Sequence, residues 1–370
     1  MPARTRHVPF SQRYVAAWLA ARRQWGPHLS RWESAAVSDA IEAIRPGAPV
    51  WICGMARSGS TILLEILNGL PQFTAHRYSD YPWLWIPYWW NRLHSRLPLA
   101  AAAKQERAHR DGLAVSRDSP EAFEEVFWMH FFEDRHDPAT SQILEPDYRA
   151  EEFLLFLRQH QRKLLAVRGA RRYLAKANYH LPRLGFLHHH FPDARFVIPV
   201  REPLAQVASL LKQDALFCRL DREDPAVSAH LARIGHFEFG PGKRALNMGD
   251  ADEAAAITAC FARGELAEGF ARQWVAQYGF ALRRMREDAD LCSACLWLSH
   301  DRLCEAPRIE LQRLGNHLGL AADEQKLIDD RWASRLHKPD YYAAGFSEKE
   351  TDLLHSLTAP LWLELQSWIA

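Results

Sequence analysis

The sequence predicts an α/β fold, in which a P-loop-like parallel sheet carries helices on both faces and receives helical insertions. Four short apolar runs, each typical of a buried parallel strand, alternate with longer helical patterns. These runs are residues 50–53, 173–176, 196–200 and 295–299. The alternation indicates crossover connections and hence a parallel sheet. Ligands of such sheets bind beyond the carboxyl ends of the strands, so we expect the functional groups there.

The chain divides into a short helical extension and one main domain. Residues 1–47 form the predicted N-terminal helical extension, which ends at the turn signal Pro46-Gly47. Residues 48–370 form the predicted α/β domain, without an internal repeat or a low-complexity linker. Within it we expect a helical insertion at about 100–160 and a loop-rich flap at about 221–250.

Composition excludes several functional classes. The chain has 370 residues, of which 48% are hydrophobic and 25% are charged, as in ordinary globular proteins. Lys and Arg total 46 against 45 for Asp and Glu, and the net charge of +1 argues against bulk binding to nucleic acid. No apolar run reaches the roughly 18 residues of a membrane span, so we expect no integral membrane segment. With no signal-peptide core and six scattered cysteines, the sequence predicts a cytoplasmic protein.

The first apolar run leads into a glycine-bounded loop and then a helix, an arrangement that cradles an anion. Gly54, Gly59 and Thr61 stand in register with a Walker A phosphate loop, but Ser60 occupies the lysine position. A kinase or nucleoside triphosphatase uses that lysine on the β- and γ-phosphates. Arg57 lies inside the loop. The loop therefore predicts a phosphate-like anion rather than a triphosphate with Mg²⁺, and a phosphotransferase with a degenerate loop stays an alternative.

The other three strand ends also carry chemistry. Lys176 ends the second apolar run, Arg201 follows the third, and His300-Asp301 follows the fourth. Ser209 lies eight residues after Arg201, two turns into the next helix, where both side chains can face one phosphate. Arg201 could instead pair with a neighbouring carboxylate. The common rim of a parallel sheet brings these groups to one place, which predicts an anion site with several cations.

A zinc site is conceivable at the only close cysteine pair, Cys292 and Cys295, with His300 and Cys304 nearby. Cys295, however, begins a predicted buried strand, whose residues alternate between faces. Buried free thiols account better for this pattern, so we expect no metal.

Residues 71–92 are rich in aromatic side chains and contain three prolines, which exclude a long helix or a central strand. His76, Arg77, Tyr78 and Asp80 lie among these aromatics. The segment is either a packed aromatic corner or the wall of an acceptor pocket, and the two interpretations are compatible.

At these residues the chain resembles the sulfotransferases that use 3′-phosphoadenosine 5′-phosphosulfate (PAPS), and it is most similar to their bacterial and tyrosylprotein-type branch. Residues 57–61, RSGST, look like the family's 5′-phosphosulfate loop, and residues 196–209, FVIPVREPLAQVAS, look like its 3′-phosphate segment. Residues 173–176, YLAK, followed by 191–194, FPDA, resemble the segment that carries a transition-state lysine. Residues 299–303, SHDRL, resemble a variant of the family's Tyr-Glu-Asp-Leu segment.

The resemblance covers about residues 48–320 and leaves the acceptor regions unmatched. It implies PAPS as the donor, without a metal. His300 stands where the family usually has tyrosine, and neither the histidine base motif of the cytosolic branch nor the glutamate base of the tyrosylprotein branch is present. The nucleotide contacts that it implies are Arg57, Ser58, Gly59, Ser60, Thr61, Arg201, Ser209 and His300.

The resulting hypothesis is transfer of a sulfuryl group to an acceptor hydroxyl or amine by in-line displacement. Such a reaction needs a base for the acceptor proton and cations for the charge that grows on the leaving oxygen. We predict Arg57 and Lys176 as the cations, and Asp80 as the base with His76 second. Asp80 could instead cap a helix or pair with Arg77. The acceptor is a small molecule or a peptide, the oligomeric state is not readable, and a non-catalytic nucleotide-binding protein is a further alternative.

Overall fold

The computed structural model describes residue 8 and residues 11–96, 105–106, 114–338 and 345–369. A five-stranded sheet lies at the centre, and a separate two-stranded antiparallel ribbon, β3 with β4, lies outside it. The strands are β1 (Val50–Cys53), β2 (Phe73–Thr74), β3 (Gln105–Glu106), β4 (Ala114–Val115), β5 (Arg172–Ala177), β6 (Arg195–Val200) and β7 (Cys295–Ser299).

The central sheet is parallel throughout and has the order β2-β5-β1-β6-β7. The four strands predicted from the apolar runs are confirmed, and β1 lies in the middle between β5 and β6. The register aligns Ile52 of β1 with Lys176 of β5 and with Val197 of β6. The carboxyl ends of β1, β5, β6 and β7 therefore meet at one rim. The edge strand β2 has two residues and is not predicted from the sequence.

Helices surround the sheet. They are α1 (Ala16–Ala20), α2 (Trp25–Ala36), α3 (Ser38–Glu42), α4 (Ser60–Asn68), α5 (Pro87–His94), α6 (Glu125–Phe131), α7 (Glu151–Arg168), α8 (Leu184–His190), α9 (Pro203–Glu223), α10 (Ala226–Ile234), α11 (Ala251–Arg263), α12 (Leu266–Glu287), α13 (Ala289–Ala294), α14 (His300–Glu305), α15 (Pro307–Leu318), α16 (Ala322–Trp332) and α17 (Glu348–Ile369). Short helical turns of other types cover Ser11–Val15, Tyr78–Asp80 and Leu181–Arg183. Within the described ranges, none of the helices is long and apolar enough to cross a bilayer.

Two apolar cores lie against the two faces of the sheet, because successive side chains of a strand point to opposite faces. Trp51 of β1 and Phe196 of β6 belong to the larger core, which also receives side chains of α7, α9 and α12. Val50 and Ile52 belong to the smaller core, with side chains of α4, α15 and α16. Both strand faces are thus covered, as the continuous apolar runs predicted.

The N-terminal helices are anchored on α7 by a buried ion pair. Lys163 of α7 lies 3.0 Å from a carboxylate oxygen of Glu33 in α2, and both side chains are inaccessible to solvent.

The division into an extension, a domain, an insertion and a flap stays a prediction, as does the cytoplasmic location. Part of the predicted insertion, residues 100–104 and 107–113, falls outside the described residues.

Candidate active site

The loop after β1 has the geometry of an anion cradle. It runs from Gly54 to Gly59, and α4 begins at Ser60 with Gly59 as its N-cap and with no side chain capping the helix. The first turn of a helix leaves backbone N–H groups without helical partners, and the helix dipole favours an anion there. Arg57 and Gly59 have φ angles of 69° and 99°, so the loop reverses direction through two left-handed residues.

Glycine is required at position 59 by both conformation and space. A Cβ atom built there would lie 2.6 Å from Cδ2 of His300, the first residue of α14. At Gly54, a Cβ atom would lie 3.0 Å from the carbonyl oxygen of Pro199 in β6. The loop is therefore packed tightly between its own strand end and the ends of β6 and β7.

We expect Gly59→Ala to weaken binding of 3′-phosphoadenosine 5′-phosphate (PAP) at least about tenfold, because a left-handed alanine costs about 1–3 kcal/mol and its methyl group would displace His300. Calorimetry with PAP and thermal unfolding would measure both effects. Gly242→Ala is the matched control, since its Cβ would meet no atom within 4 Å and its φ is not positive. An unchanged PAP affinity in Gly59→Ala would exclude this loop as the binding site.

Arg57 ties the loop to α9. Its Nε donates a hydrogen bond of 2.9 Å to Oγ of Ser209, and Nε2 of Gln206 donates one of 2.9 Å to the carbonyl oxygen of Ala56. Ser209 is predicted from the sequence to share a phosphate with Arg201, and in the structure its hydroxyl contacts Arg57. Two segments more than 140 residues apart in sequence, 54–59 and 203–223, therefore form one surface.

Lys176 approaches the same loop from β5. Its Nζ donates a hydrogen bond of 3.2 Å to Oγ1 of Thr61, in the first turn of α4. The residue is 6% exposed, so its charge lies in a largely desolvated environment. In a Walker A loop the lysine would stand at position 60, directly after β1 and its loop. Here an ammonium group reaches the same helix start from β5 instead.

Arg201 and His300 close the other side of the rim. Burial, and secondarily the charge of Arg201, lowers the pKa of His300 to about 4, so its imidazole is neutral at physiological pH. Its Nδ1 is buried and has no hydrogen-bond partner among the described residues. The backbone N–H of Glu202 donates a 3.0 Å hydrogen bond to Asp301, which joins the ends of β6 and β7. A buried imidazole nitrogen without a protein partner fits a ligand group at this position.

Asp80 and His76, the predicted base candidates, lie in a buried polar cluster. The carboxylate of Asp80 is 2.6 Å and 2.7 Å from Nη2 of Arg168 and accepts a 2.8 Å hydrogen bond from the backbone N–H of Arg77. Burial raises the pKa of Asp80, but Arg168 and His76 outweigh it and hold this pKa well below its ordinary value. Nε2 of His76 lies 3.0 Å from Nε2 of His160. Their roles as base stay predictions, and these contacts favour a structural role.

We expect Asp80→Asn to lower the free energy of unfolding by about 3–5 kcal/mol, because it leaves the buried guanidinium of Arg168 without its counter-ion. Urea unfolding would measure this change. Since the pKa of Asp80 is lower in the folded state, its stabilisation is present above about pH 4 and is lost as the pH falls through the folded pKa.

Asp118→Asn is the control for Asp80→Asn, because Asp118 is exposed and lies 3.8 Å from Arg77. PAP affinity and turnover per folded molecule should be retained in Asp80→Asn if the role is structural. A large loss of turnover with unchanged stability would instead support Asp80 as the base.

The structure also brings together residues that the sequence analysis did not select. His236 and Glu238 follow α10, and Nδ1 of His236 lies 3.2 Å and 3.3 Å from the two carboxylate oxygens of Glu238. Nδ2 of Asn178, two residues after Lys176, donates to Glu238. Side chains two residues apart in an extended segment point to the same side. The spacing of His236 and Glu238 is therefore the sequence signal that could have identified these two residues as a pair.

All six cysteines are free thiols. Among the described residues, one group could hold a metal ion: Cys260, Glu265 and Glu268, near the turn between α11 and α12. Glu265 and Glu268 are engaged by Arg263 and Arg272, so arginines already neutralise both carboxylates. This group lies on different elements from the loop, Lys176, Arg201 and His300.

The fold and the site define a parallel α/β protein with a phosphate-type loop and several cations at one rim of the sheet. Residues 49–231, about half of the chain, match the model of the Sulfotransferase family. This region of the chain thus belongs to the sulfotransferase family, as its motifs predicted. The family supports an enzyme that transfers sulfuryl groups in general.

A solved structure supports the fold, and two others are similar to the chain at lower TM-scores. The sulfotransferase STF9 from Mycobacterium avium is 14% identical, with 91% of this chain and 82% of that chain covered and a TM-score of 0.51. STF1 from Mycobacterium tuberculosis H37Rv is 12% identical, with 93% and 87% covered and a TM-score of 0.47. A sulfotransferase from Alicyclobacillus acidocaldarius is 13% identical, with 88% and 96% covered and a TM-score of 0.44. Among curated proteins none matches the chain significantly.

Proposed function

We propose that this chain is a sulfotransferase that takes PAPS as donor and transfers its sulfuryl group to an acceptor hydroxyl or amine by in-line displacement. One observation carries the proposal: three groups from three different strand ends or helices contact the phosphate-type loop or the first turn of the helix that follows it. Lys176 reaches it at Thr61, Ser209 at Arg57, and His300 at Gly59. Such a site matches a donor that has a phosphosulfate at one end and a second phosphate at the other.

The loop and Lys176 would hold the 5′-phosphosulfate. The free N–H groups of the first turn of α4 offer hydrogen bonds to its phosphate oxygens, and Arg57 adds a positive charge. Negative charge grows on the oxygen that bridges phosphorus and sulfur as the sulfur–oxygen bond breaks. An ammonium group beside that oxygen, such as that of Lys176, stabilises the transition state more than the ground state.

Arg201 and Ser209 would hold the 3′-phosphate. Arg201 is 6% exposed and Ser209 is fully buried, so a phosphate that reaches them binds in a desolvated environment where its hydrogen bonds are strong. Arg57 contacts Ser209 and also lies in the 5′ loop, so it links the two phosphate positions. His300, with its buried Nδ1, is the candidate contact for the nucleoside between them.

The geometry disfavours the alternative of a phosphotransferase. In a Walker A loop, the hydroxyl of the final Ser/Thr binds Mg²⁺. Here that hydroxyl belongs to Thr61, and it accepts a hydrogen bond from the ammonium group of Lys176. A cation beside this oxygen opposes Mg²⁺ binding by charge repulsion. A non-catalytic nucleotide-binding protein would retain these contacts, so activity must separate it from an enzyme.

Turnover of PAPS tests the proposal. The protein is incubated with PAPS and a panel of phenols, aliphatic alcohols and amines, and release of PAP is followed by chromatography. We expect release that depends on the enzyme and on an acceptor, without added Mg²⁺. ATP with Mg²⁺ serves as the control donor. Phosphoryl transfer from ATP, with no turnover of PAPS, would replace this proposal with the phosphotransferase alternative.

A further inference from the structure

A short loop segment places a histidine beside the carboxyl end of β5. The segment 235–240 follows α10 and starts and ends with glycines of positive φ. The backbone N–H of Phe237 donates a 2.8 Å hydrogen bond to Oη of Tyr179, and that of Gly240 donates one of 2.8 Å to Asp214. Both bonds lie on the C-terminal side of His236, and the backbone N–H of His236 itself donates a 2.9 Å hydrogen bond to the carbonyl oxygen of Leu231 in α10. The backbone is therefore held before and after the imidazole of His236.

Glu238 orients the imidazole of His236. Both of its carboxylate oxygens lie within 3.3 Å of Nδ1, and the side-chain amide of Asn178 donates to the same carboxylate. Burial raises the pKa of Glu238, but His236 and Asn178 outweigh it and lower this pKa to about 2, so Glu238 is a carboxylate at neutral pH. A carboxylate at Nδ1 favours the tautomer with the proton on Nδ1 and leaves the lone pair on Nε2.

The charges around His236 suit a base that acts near neutral pH. Burial lowers the pKa of His236, Glu238 and then Glu121 raise it, and Lys176 lowers it, with a net rise above the ordinary value. His230 of α10 is a further titratable neighbour. Since the charge of Lys176 acts on the pKa of His236, the proposed transition-state cation lies within electrostatic reach of the imidazole. The side chain of His236 is 14% exposed, so a ligand can reach it.

Aromatic side chains lie against α10, the helix that leads to His236, where Tyr81 meets the ring of His230 edge-on at 5.5 Å between ring centroids. Tyr81 stacks on Phe123 at 5.4 Å between ring centroids, and Tyr78 meets the same ring edge-on at 6.3 Å. The hydroxyl of Tyr78 donates to Glu121, whose charge acts on His236. A flat aromatic acceptor fits such a wall. An ammonium acceptor would be repelled by Lys176, so an uncharged hydroxyl is favoured over an amine.

We propose that His236 is the general base of the transfer reaction, that Glu238 positions it, and that the acceptor is a phenolic hydroxyl. This inference rests on the proposed function. The acceptor oxygen forms a bond to sulfur while the bond from sulfur to the bridging oxygen breaks and its electron pair leaves with PAP. The acceptor O–H bond breaks in the same process, and its proton goes to Nε2 of His236. The arrangement of carboxylate, imidazole and hydroxyl follows the general logic of oriented bases.

The test compares two phenols that differ in their need for a base. In His236→Gln, transfer from PAPS to 4-methoxyphenol, which stays protonated, should fall about 10²–10⁴-fold in kcat. Transfer to 4-nitrophenol at about pH 9, where it is ionised, should change little. In the wild type, the rate with 4-methoxyphenol should rise with pH through the raised pKa of His236, because only the neutral imidazole accepts a proton. Glu238→Gln should shift that pH profile to lower pH, since it removes the charge that raises this pKa.

Two further measurements are made on each variant. PAP affinity shows whether the donor site of the proposed function is intact, and thermal unfolding shows whether the variant is folded. PAP affinity should be unchanged in His236→Gln, whereas the unfolding temperature should fall, because Glu238 loses the group that lowers its pKa; rates are therefore compared per folded molecule. His355→Gln, at an exposed position of α17, serves as the matched control. Equal losses for the two phenols, or full activity with 4-methoxyphenol, would overturn the assignment of His236. Failure of the wild type to bind PAP would instead overturn the proposed function itself.

Discussion

Replacement of Lys176 by methionine is expected to slow release of PAP from PAPS by about 10²–10³-fold in kcat, the usual effect of removing one group that stabilises transition-state charge. Methionine keeps much of the length and volume of the side chain but removes the ammonium group. Lys176 lies at the end of β5 and donates to Thr61 in the first turn of α4, so it stands beside the loop proposed for the phosphosulfate. Initial rates with 4-nitrophenol as acceptor would measure the effect.

The affinity for PAP should change far less than kcat in Lys176→Met, because the charge that Lys176 stabilises develops only as the sulfur–oxygen bond breaks. Lys349→Met, at an exposed position of α17, is the control for loss of a lysine. A loss of PAP affinity as large as the loss of kcat would show that Lys176 acts in ground-state binding. Undiminished kcat would remove Lys176 from the mechanism.

Replacement of Arg201 by alanine is expected to weaken binding of PAP about 10–100-fold, because a charge-assisted hydrogen bond contributes about 1.5–3 kcal/mol and each 1.4 kcal/mol is tenfold in affinity. Binding of adenosine 5′-phosphate, which lacks the 3′-phosphate, should be unaffected. Arg201 follows β6 directly, is 6% exposed, and acts electrostatically on His300. Calorimetric titration of each variant with both nucleotides would measure this selectivity.

Arg195→Ala provides a matched control for Arg201→Ala. Arg195 is the first residue of β6, so the same substitution is made at the amino end of the strand that Arg201 follows. It should leave the affinities for both nucleotides unchanged. If Arg201→Ala weakened PAP and adenosine 5′-phosphate equally, the 3′-phosphate would have to be bound elsewhere.

The sheet and the loop could be predicted from sequence because their signals are local. A parallel strand that is buried on both faces appears as a continuous apolar run, as at Val50–Cys53, and a strand end is read from the first polar residue. The edge strand Phe73–Thr74 has two residues and gives no such signal. Because the strands are parallel, Lys176 and Arg201 are then expected at the same rim of the sheet.

The partners of the side chains could not be predicted, because they depend on contacts between distant segments. Asp80 is predicted as the base from the polar and aromatic residues beside it in sequence, yet its carboxylate pairs with Arg168, 88 residues later. His236 and Glu238 lie within the predicted flap, and their contacts with Asn178 and Tyr179 are visible only in the folded chain. Long-range pairing of this kind leaves no periodicity in the sequence.

The central claim is that the loop at Gly54–Gly59, Lys176, Arg201 and His300 form one site for a PAPS-type donor. Calorimetric titration with PAP and with ATP–Mg²⁺ tests this claim most directly. The account predicts that PAP binds tightly with one site per chain and that ATP–Mg²⁺ does not bind. Tight binding of ATP–Mg²⁺ without binding of PAP would contradict it.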